Sequence, residues 1–247
     1  MDKVEILGVK IDNLSLQEVL AKCETFLNSE NQHYIVTPNP EFLVMAQKNK
    51  RFKEILNFAD LAVADGIGLI YAASFLGKKL VRVTGVDLVW WLSELAEQNN
   101  CSVYLLGGEE IVAAKTAENL KQNFPNLIIA GAESGGYIAD PQVDDMDLLE
   151  RINDTQPKIL FVAFGQVKQE EWIYSHLDKL PSVKLAIGVG GTFDYLSGSI
   201  NRAPAIIRQL GLEWLYRLIY EPSRWKRILN AVIIFPLMVA KQKIFKR

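Results

Sequence analysis

This chain of 247 residues lacks several residues and motifs that mark common classes of protein. Its two cysteines, Cys23 and Cys101, are too few for a disulfide framework and are typical of a reducing cytosol. Its two histidines, His33 and His176, have no ligand-like neighbours in the sequence, which argues against a zinc site. The GxGxxG fingerprint, the Walker A motif and the Gly-x-Ser-x-Gly elbow are also missing from the sequence.

Long apolar runs are missing as well. The first residues include acidic side chains and no apolar stretch, so we expect no signal peptide. The apolar run at residues 228–240 has 13 residues and contains Asn230 and Pro236. A membrane-spanning helix needs about 20 apolar residues. We therefore expect a cytoplasmic protein that lies on the inner face of the cell membrane without crossing it.

The charges are divided unevenly along the chain. Residues 200–247 hold ten Lys or Arg and two Asp or Glu, whereas residues 1–199 hold 17 basic and 27 acidic side chains. The basic segment also contains Trp214, Tyr216, Tyr220 and Trp225. Cations with interfacial aromatic residues favour contact with an anionic membrane surface. A C-terminal helix packed on its own domain remains the alternative, and without a nucleic-acid motif we expect no nucleic acid partner.

Apolar runs alternate with amphipathic stretches, which predicts βα units and a mostly parallel sheet flanked by helices. Strands are predicted at residues 33–36, 61–64, 102–106, 127–131, 159–164 and 183–189. Helices are predicted at residues 16–28, 40–57, 67–76, 86–99, 110–123, 144–153, 168–177 and 211–220. We expect residues 1–196 to form an α/β core and residues 197–247 to form a basic, amphipathic helical appendage that associates with membranes.

Polar and glycine-rich loops follow five of the predicted strands. Ligands of open α/β sheets bind at the carboxyl ends of the strands, so five such loops predict a composite pocket. Asp65 is the sharpest candidate, because it ends an apolar strand and can act as a general base on a hydroxyl. Capping of the following helix is an equally simple explanation.

Glycines in two of these loops, Gly107-Gly108 and Gly188 to Gly191, can bind phosphate through backbone N–H groups, although tight turns explain them as well. Thr192 and Asp194 can hold a nucleoside or cap the next turn. Arg82 can face a phosphate or be a solvated loop residue.

Asp145 and Asp147 form a DxD pattern that some nucleotide-sugar enzymes use for a metal ion. Their acidic surroundings favour the first turn of a surface helix instead.

Eight short motifs together resemble one known family. They are TPNPE at 37–41, ADGIG at 64–68, RVTGVD at 82–87, LLGG at 105–108, FGQVKQEEW at 164–172, GVGGTFDYLSG at 188–198, RAP at 202–204 and GLEWLYRL at 211–218. In this order, and over nearly the whole chain, they resemble the WecG/TagA/CpsF glycosyltransferases, most closely the TagA branch. Gln166-Val167 departs from the family, in which many members have Ala-Pro, and we expect a change in loop stiffness rather than in chemistry.

The resemblance implies a Rossmann-like core and an inverting β-1,4 transfer of N-acetylmannosamine, without metal or cofactor, in wall teichoic acid linkage-unit synthesis. It implies a UDP-sugar donor and an acceptor of N-acetylglucosamine on undecaprenyl diphosphate. It assigns Asp65 as the base. The implied substrate-binding residues are Thr37, Asn39, Arg82, Gln169, Arg208, Arg217 and Arg224. The implied nucleotide-binding residues are Gly107, Gly108, Gly188, Gly190, Gly191, Thr192 and Asp194.

Three other interpretations remain open at this point. The donor can be a different UDP-sugar, since no residue selects N-acetylmannosamine. A soluble Rossmann-type enzyme with a nucleotide cofactor explains the alternation of strands and helices, but not the basic tail. A non-catalytic membrane adaptor explains the tail, but not the five polar loops. An amphipathic tail away from a membrane can also pair with a second copy as a homo-oligomer.

Overall fold

The computed structural model describes residues 3–245 and begins with a small antiparallel hairpin of β1 (Lys3–Ile6) and β2 (Val9–Asp12). Leu7 and Gly8 form its turn with φ of 52° and 76°. Sequence analysis missed this hairpin because leucine is a rare residue in the left-handed conformation that such a turn requires.

A six-stranded parallel sheet forms the centre of the fold, in the order β4-β3-β8-β7-β5-β6. Its strands are β3 (His33–Val36), β4 (Leu61–Ala62), β5 (Ser102–Gly107), β6 (Ile128–Glu133), β7 (Ile159–Ala163) and β8 (Leu185–Gly188). Every predicted strand is present, with the predicted bounds for β3 and shifted bounds for the other five, and the predicted Rossmann-like, mostly parallel α/β sheet is confirmed. Because all six strands run the same way, their carboxyl ends meet at one edge of the sheet.

Nine helices of the described residues connect or follow these strands. They are α1 (Leu16–Leu27), α2 (Pro40–Ala46), α3 (Lys50–Phe58), α4 (Ile67–Phe75), α5 (Gly85–Gln98), α6 (Glu110–Asn123), α7 (Met146–Thr155), α8 (Lys168–His176) and α9 (Thr192–Leu196). The predicted single helix at 40–57 is two helices, because Asn49 accepts from Phe52 N–H and starts a new one. Two apolar layers cover the two faces of the sheet, as its continuous apolar strands require.

The C-terminal part, which we call the appendage (residues 197–247), begins with α10 (Ala205–Gln209) and α11 (Glu213–Tyr220). A continuous helical segment, Pro222–Phe245, follows. It consists of a 3-10 turn, α12 (Trp225–Leu229), a π-helical turn (Asn230–Ile234) and α13 (Phe235–Phe245).

This segment is 24 residues long and apolar enough to cross a membrane by length and composition, so the expectation that it is too short is wrong. α11 ends just before Pro222, and Pro222 starts this segment, because proline fits a first helical turn. The π-helical turn directly before Pro236 changes the hydrogen-bond register there, so the helix continues through that proline.

One face of the segment packs on the core. Phe235 and Val239 are buried in the apolar layer beside α2, and Gln242 Oε1 accepts from Leu7 N–H at 2.8 Å. The opposite face is open, with Leu237 65% exposed. The segment is therefore a helix packed along its own domain that still presents apolar side chains outward.

Candidate active site

A cavity of about 1,100 Å³ lies at the carboxyl edge of the sheet and is bounded on its other side by the appendage. All five loops selected from the sequence contribute residues to its lining. We call the lining from Thr37, Asp65, Gln169 and residues 189–194 the core wall. We call the lining from Arg202, Glu213, Arg217, Arg224 and Arg227 the appendage wall.

Asp65 lies between β4 and α4, and its backbone N–H donates to Pro38 O at 2.8 Å. Burial raises the pKa of Asp65 to about 6, and the positive charge of Arg82 partly offsets this effect. The N-cap of α4 is Gly66, with φ of 93° and no side-chain cap, so the capping explanation for Asp65 is wrong. A carboxyl group with this pKa can accept a proton from a hydroxyl near neutral pH.

Four charged side chains surround Asp65. Arg82 Nη2 donates to Glu213 Oε2 at 2.9 Å, and Arg202 Nη1 donates to Asp87 Oδ1 at 2.9 Å. The negative charges of Glu213 and Asp87 raise the pKa of Asp65, and the two arginines lower it. The Arg82 side chain is only 23% exposed, so the alternative of a solvated loop arginine is wrong.

Buried hydrogen bonds connect the loops of the core wall. Thr37 Oγ1 donates to Gly188 O at 3.1 Å, and Gln169 Oε1 accepts from Gly190 N–H at 2.9 Å. Gln169 Nε2 donates to Glu170 Oε1 at 2.6 Å. Gln169 lines the cavity, but its amide oxygen already holds the glycine loop, so it positions that loop as well as facing the cavity.

Glu170 is a buried carboxyl group that the sequence analysis did not single out. Burial raises its pKa to about 7, and hydrogen bonds from Gln169 and the Val167 N–H oppose that shift. Val167 has φ of 71°, a rare conformation for a β-branched residue, and its N–H donates to Glu170 Oε2 at 2.8 Å. Many members of the family that the motifs resemble have proline at this position, and proline has no N–H that could donate to a glutamate. Val167 therefore adds a hydrogen bond that proline cannot make, besides changing the stiffness of the loop.

The predicted glycines have two different roles. Gly108, Gly190 and Gly191 line the cavity. Gly107 and Gly188 allow close packing, since an added Cβ would lie 2.6 Å from Ala163 C and 2.5 Å from Glu170 Oε1, respectively. The Gly108 N–H already donates to Ala163 O at 3.2 Å and the Gly190 N–H to Gln169 Oε1, so Gly108 and Gly190 offer a ligand close approach rather than free donors. The other two glycines hold the loops in place.

Asn39, Thr192 and Asp194 also line the cavity. Asn39 Oδ1 accepts from Phe42 N–H at 3.1 Å and caps α2, which leaves its amide NH₂ as the group for a ligand. α9 has no side-chain cap, so Thr192 and Asp194 do not cap it. Burial raises the pKa of Asp194, which Arg217 and Arg224 partly offset.

The arginines of the appendage wall lie beside carboxylates. Arg217 Nε donates to Glu221 Oε1 at 2.7 Å, and its Nη2 lies 3.6 Å from Asp194 Oδ2. Arg224 also donates to Glu221, and Arg227 Nε donates to Glu41 Oε2 at 2.9 Å. Arg217 also lies close to the glycine loop, since an added Cβ at Gly191 would come within 2.9 Å of its Nη2.

Arg208 is placed differently from the other predicted arginines. Its Nε donates to Ala203 O at 3.0 Å, and it does not line the cavity. In this structure it stabilises the turn that leads into α10.

Three buried guanidinium atoms have no hydrogen-bond acceptor among the described residues. They are Arg82 Nε, Arg202 Nε and Arg217 Nη2. Buried donors in folded proteins nearly always have a partner. Since all three residues line the same cavity, they indicate a site for an anion such as a diphosphate.

Sequence reasoning missed Arg202, Glu213, Glu170 and Arg227 as site residues. Arg202, Glu213 and Glu170 lie within RAP, GLEWLYRL and FGQVKQEEW, so the motifs did signal these three. Arg227 lies in none of the motifs, and its role depends on contact with a distant residue.

The DxD pattern has a structural role. Asp145 Oδ1 accepts from Leu148 N–H at 3.1 Å and caps α7. Within residues 3–245, no group of three or more His, Cys, Asp or Glu is arranged to hold a metal ion.

Comparison with known proteins identifies similar chains over nearly the whole length. The model of the glycosyl transferase WecG/TagA/CpsF family matches residues 4–247. A Staphylococcus aureus (strain MRSA252) protein named N-acetylglucosaminyldiphosphoundecaprenol N-acetyl-beta-D-mannosaminyltransferase is 37% identical, over 98% of this chain and 93% of its own length. A Bacillus spizizenii (strain W23) protein with the same name is 37% identical, over 83% of this chain and 78% of its own length.

Proposed function

This chain belongs to the WecG/TagA/CpsF family of glycosyltransferases, and on this premise we propose that it transfers N-acetylmannosamine from its UDP donor to N-acetylglucosaminyl-diphospho-undecaprenol. The proposed reaction forms a β-1,4 linkage with inversion and uses no metal ion. It belongs to the synthesis of the wall teichoic acid linkage unit.

The observation that carries the proposal is the position of Asp65 in the cavity. It is a carboxyl group with a pKa of about 6, and its side chain caps no helix. The positive charges of Arg82 and Arg202, whose buried Nε atoms have no acceptor within hydrogen-bond distance among the described residues, lower its pKa. A base next to an anion site is what an inverting transfer from a sugar diphosphate requires.

The reaction is an in-line displacement at C1 of N-acetylmannosamine. The O4 hydroxyl of the acceptor sugar attacks C1 from the face opposite UDP, and its proton passes to the Asp65 carboxylate. The bond between C1 and the β-phosphate oxygen breaks, and its electron pair leaves with UDP.

The departing UDP gains negative charge that cations and backbone N–H groups must stabilise. Gly108, Gly190 and Gly191 would bind the nucleotide together with Thr192 and Asp194. Arg217 and Arg224 would bind diphosphate, exchanging Glu221 for phosphate oxygens. The sugars would be contacted by Thr37, Asn39, Arg82 and Gln169. A substrate role for Arg208 stays a prediction.

The acceptor is a lipid, so the reaction would occur at a membrane. We place the enzyme on the inner leaflet, with residues 1–196 as the catalytic unit and the appendage toward the bilayer. The exposed Trp225 and Lys226, which lie side by side on α12, suit an anionic interface. Away from a membrane, the exposed apolar side chains of the appendage would favour a homo-oligomer, which light scattering with and without detergent would detect.

Mass spectrometry of the product tests the function. The full-length protein is incubated in excess chelator with a short-chain acceptor lipid and UDP-N-acetylmannosamine, or with UDP-N-acetylglucosamine or UDP-glucose as competing donors. We expect one N-acetylhexosamine to be added from UDP-N-acetylmannosamine alone. Transfer only from another donor would reassign the sugar, and a strict need for manganese or magnesium would contradict metal independence.

A further inference from the structure

The cavity extends well beyond the polar groups that the reaction needs. On the side away from the glycine loops its lining is apolar and comes from two helices, α4 and the long C-terminal segment. We call this part the apolar groove. The groove-lining residues of α4 are Ile67, Gly68, Tyr71, Ala72 and Phe75.

The C-terminal segment borders the groove with the face that packs on the core, so Phe235 and Val239 are only 1% and 2% exposed there, whereas Val232 is 36% exposed. From residue 227 onward the lining residues recur in pairs every four positions, at 227/228, 231/232, 235/236 and 239/240. This spacing places them on one side of a helix. From Arg227 to Ala240 the face is about 20 Å long, at about 1.5 Å per residue. Arg227 is its one charged member, and it stands at the end nearest Arg224 and Arg217.

The α4 face starts next to Asp65 and runs for about 12 Å from Ile67 to Phe75, also at about 1.5 Å per residue. The two helices meet near the far end, where Lys243 Nζ lies 4.1 Å from the centre of the Phe75 ring. The groove thus begins at the base and the arginines and is bounded by apolar side chains along its length.

The groove has room and open apolar surface. Ala72 and Ala231 are small, and Tyr71 and Phe75 remain 62% and 49% exposed although both line the cavity. Exposed aromatic side chains beside a concave apolar surface are typical of a binding groove.

We propose that this groove binds the first isoprene units of the acceptor lipid, so that the enzyme holds the lipid chain as well as the sugar and the diphosphate. The inference rests on the proposed function. The groups of the acceptor and the features of the cavity correspond: the sugar hydroxyl lies at Asp65, the diphosphate at Arg224 and Arg227, and the hydrocarbon in the groove.

The outward face of the same helix has a different use. Leu229, Ile233 and Leu237 point away from the cavity and are 44%, 50% and 65% exposed. They can contact the bilayer while the groove face holds a single lipid chain. This division gives matched positions for a test, because both faces belong to one helix.

The length of the acceptor chain is the variable that tests the groove. Full-length protein is assayed with UDP-N-acetylmannosamine and acceptors in which N-acetylglucosaminyl diphosphate carries a methyl, geranyl or farnesyl group, all below their micelle concentrations. Each buried CH₂ contributes about fourfold in affinity. We therefore expect kcat/KM to be at least about tenfold higher for the farnesyl than for the methyl acceptor.

Ala231→Phe fills the groove, and Ile233→Phe adds bulk on the outward face of the same helix. We expect the farnesyl-to-methyl ratio of kcat/KM to fall below about twofold in the first variant and to keep its wild-type value in the second. UDP binding measured by calorimetry shows that both variants are folded. An unchanged ratio in Ala231→Phe would contradict the proposal that the groove binds the lipid chain. Transfer to no acceptor would contradict both the proposed function and the lipid-binding role of the groove.

Photocrosslinking of the wild-type protein avoids any folding defect. An acceptor with a diazirine on its second isoprene unit should label peptides that contain residues 67–75 and 228–240. Within the second peptide, the labelled positions should be those of the groove face. Labels confined to Ile233 and Leu237 would place the chain on the outward face and contradict the proposal.

Discussion

The core wall is connected by hydrogen bonds between buried groups, whereas the appendage wall is held by ion pairs between partly exposed side chains. Gln169 and Glu170 are 1% and 0% exposed. In the pair of Arg217 and Glu221 the side chains are 19% and 23% exposed, and the Arg227 side chain is 42% exposed. The two walls face the same cavity but differ in how firmly they are held.

This difference has an energetic consequence. Leaving a buried donor or acceptor without a partner costs about 1–3 kcal/mol, so the core wall keeps its geometry without a ligand. Well-exposed ion pairs contribute only about 0–1 kcal/mol each, and partly exposed pairs such as these also reach solvent and weaken with salt. The carboxylates of the appendage wall can therefore give way to substrate phosphates, so the core wall holds the base and the nucleotide loop while the appendage wall adapts to the diphosphates.

The largest expected effect on turnover comes from replacing Asp65, the proposed base. Asp65→Asn should lower kcat by about 10²–10⁴-fold, because the amide cannot accept the proton of the acceptor hydroxyl. UDP affinity, measured by calorimetry, should stay close to that of the wild type. Asp154→Asn, an exposed position on α7, is the matched control and should keep full turnover. Normal transfer by Asp65→Asn would remove Asp65 as the base.

The next effect concerns the appendage wall. Arg217→Ala should lower kcat/KM for the donor by about 100-fold, because it removes a cation from the departing UDP. Arg208→Ala loses a cation from the same appendage but from outside the cavity, so its effect should be much smaller. Steady-state kinetics at two salt concentrations would measure both. Equal losses would show that the overall charge of the appendage matters more than the lining of the cavity.

The third effect concerns the preorganisation of the core wall. Glu170→Gln presents an NH₂ group either to the Val167 N–H or to the Gln169 NH₂, so one donor faces another. We expect UDP affinity to fall by about tenfold, equivalent to about 1.4 kcal/mol. Glu171→Gln is the matched neighbour, since Glu171 is also buried but accepts from Asn49 Nδ2 at the start of α3 rather than from Gln169. If both variants bind UDP like the wild type, Glu170 does not hold the nucleotide loop.

The last effect is on stability rather than on turnover or ligand affinity, and it follows from the pKa of Asp65. That pKa rises from 3.8 to about 6 on folding, so the folded state binds more protons between these values and loses stability as the pH rises through them. Asp65→Asn should therefore melt at a higher temperature than the wild type at pH 8, with the difference vanishing below about pH 4. Melting curves across this range measure the effect, and a constant difference at every pH would contradict the raised pKa.

Much of the core wall could be predicted from local sequence. The strands are continuous apolar runs, and glycine or polar residues follow them, so the loops at the carboxyl edge were visible before the fold was known. Asp65 was found in this way, whereas Thr37, Asn39 and Gln169 were implied by the resemblance to the family. All four line the cavity.

The appendage wall needed the tertiary structure. Arg82 and Glu213 are 131 residues apart in the chain but only 2.9 Å apart in space, and Arg227 meets Glu41 across 186 residues. Periodicity reports the environment of neighbouring residues, and it carries no information about which distant partner a side chain will meet. For this reason Arg208 could not be separated from Arg217 on sequence alone.

The sequence by itself thus determined the parallel sheet, the edge at which its loops gather and the family of the chain, because these depend on local pattern and on motifs. Only the tertiary structure decided that Asp65 is desolvated without capping a helix, that the C-terminal helix continues through Pro236, and that this helix and α4 enclose an apolar groove. These features depend on packing between segments distant in the chain, where burial sets the pKa values and the shape of the cavity.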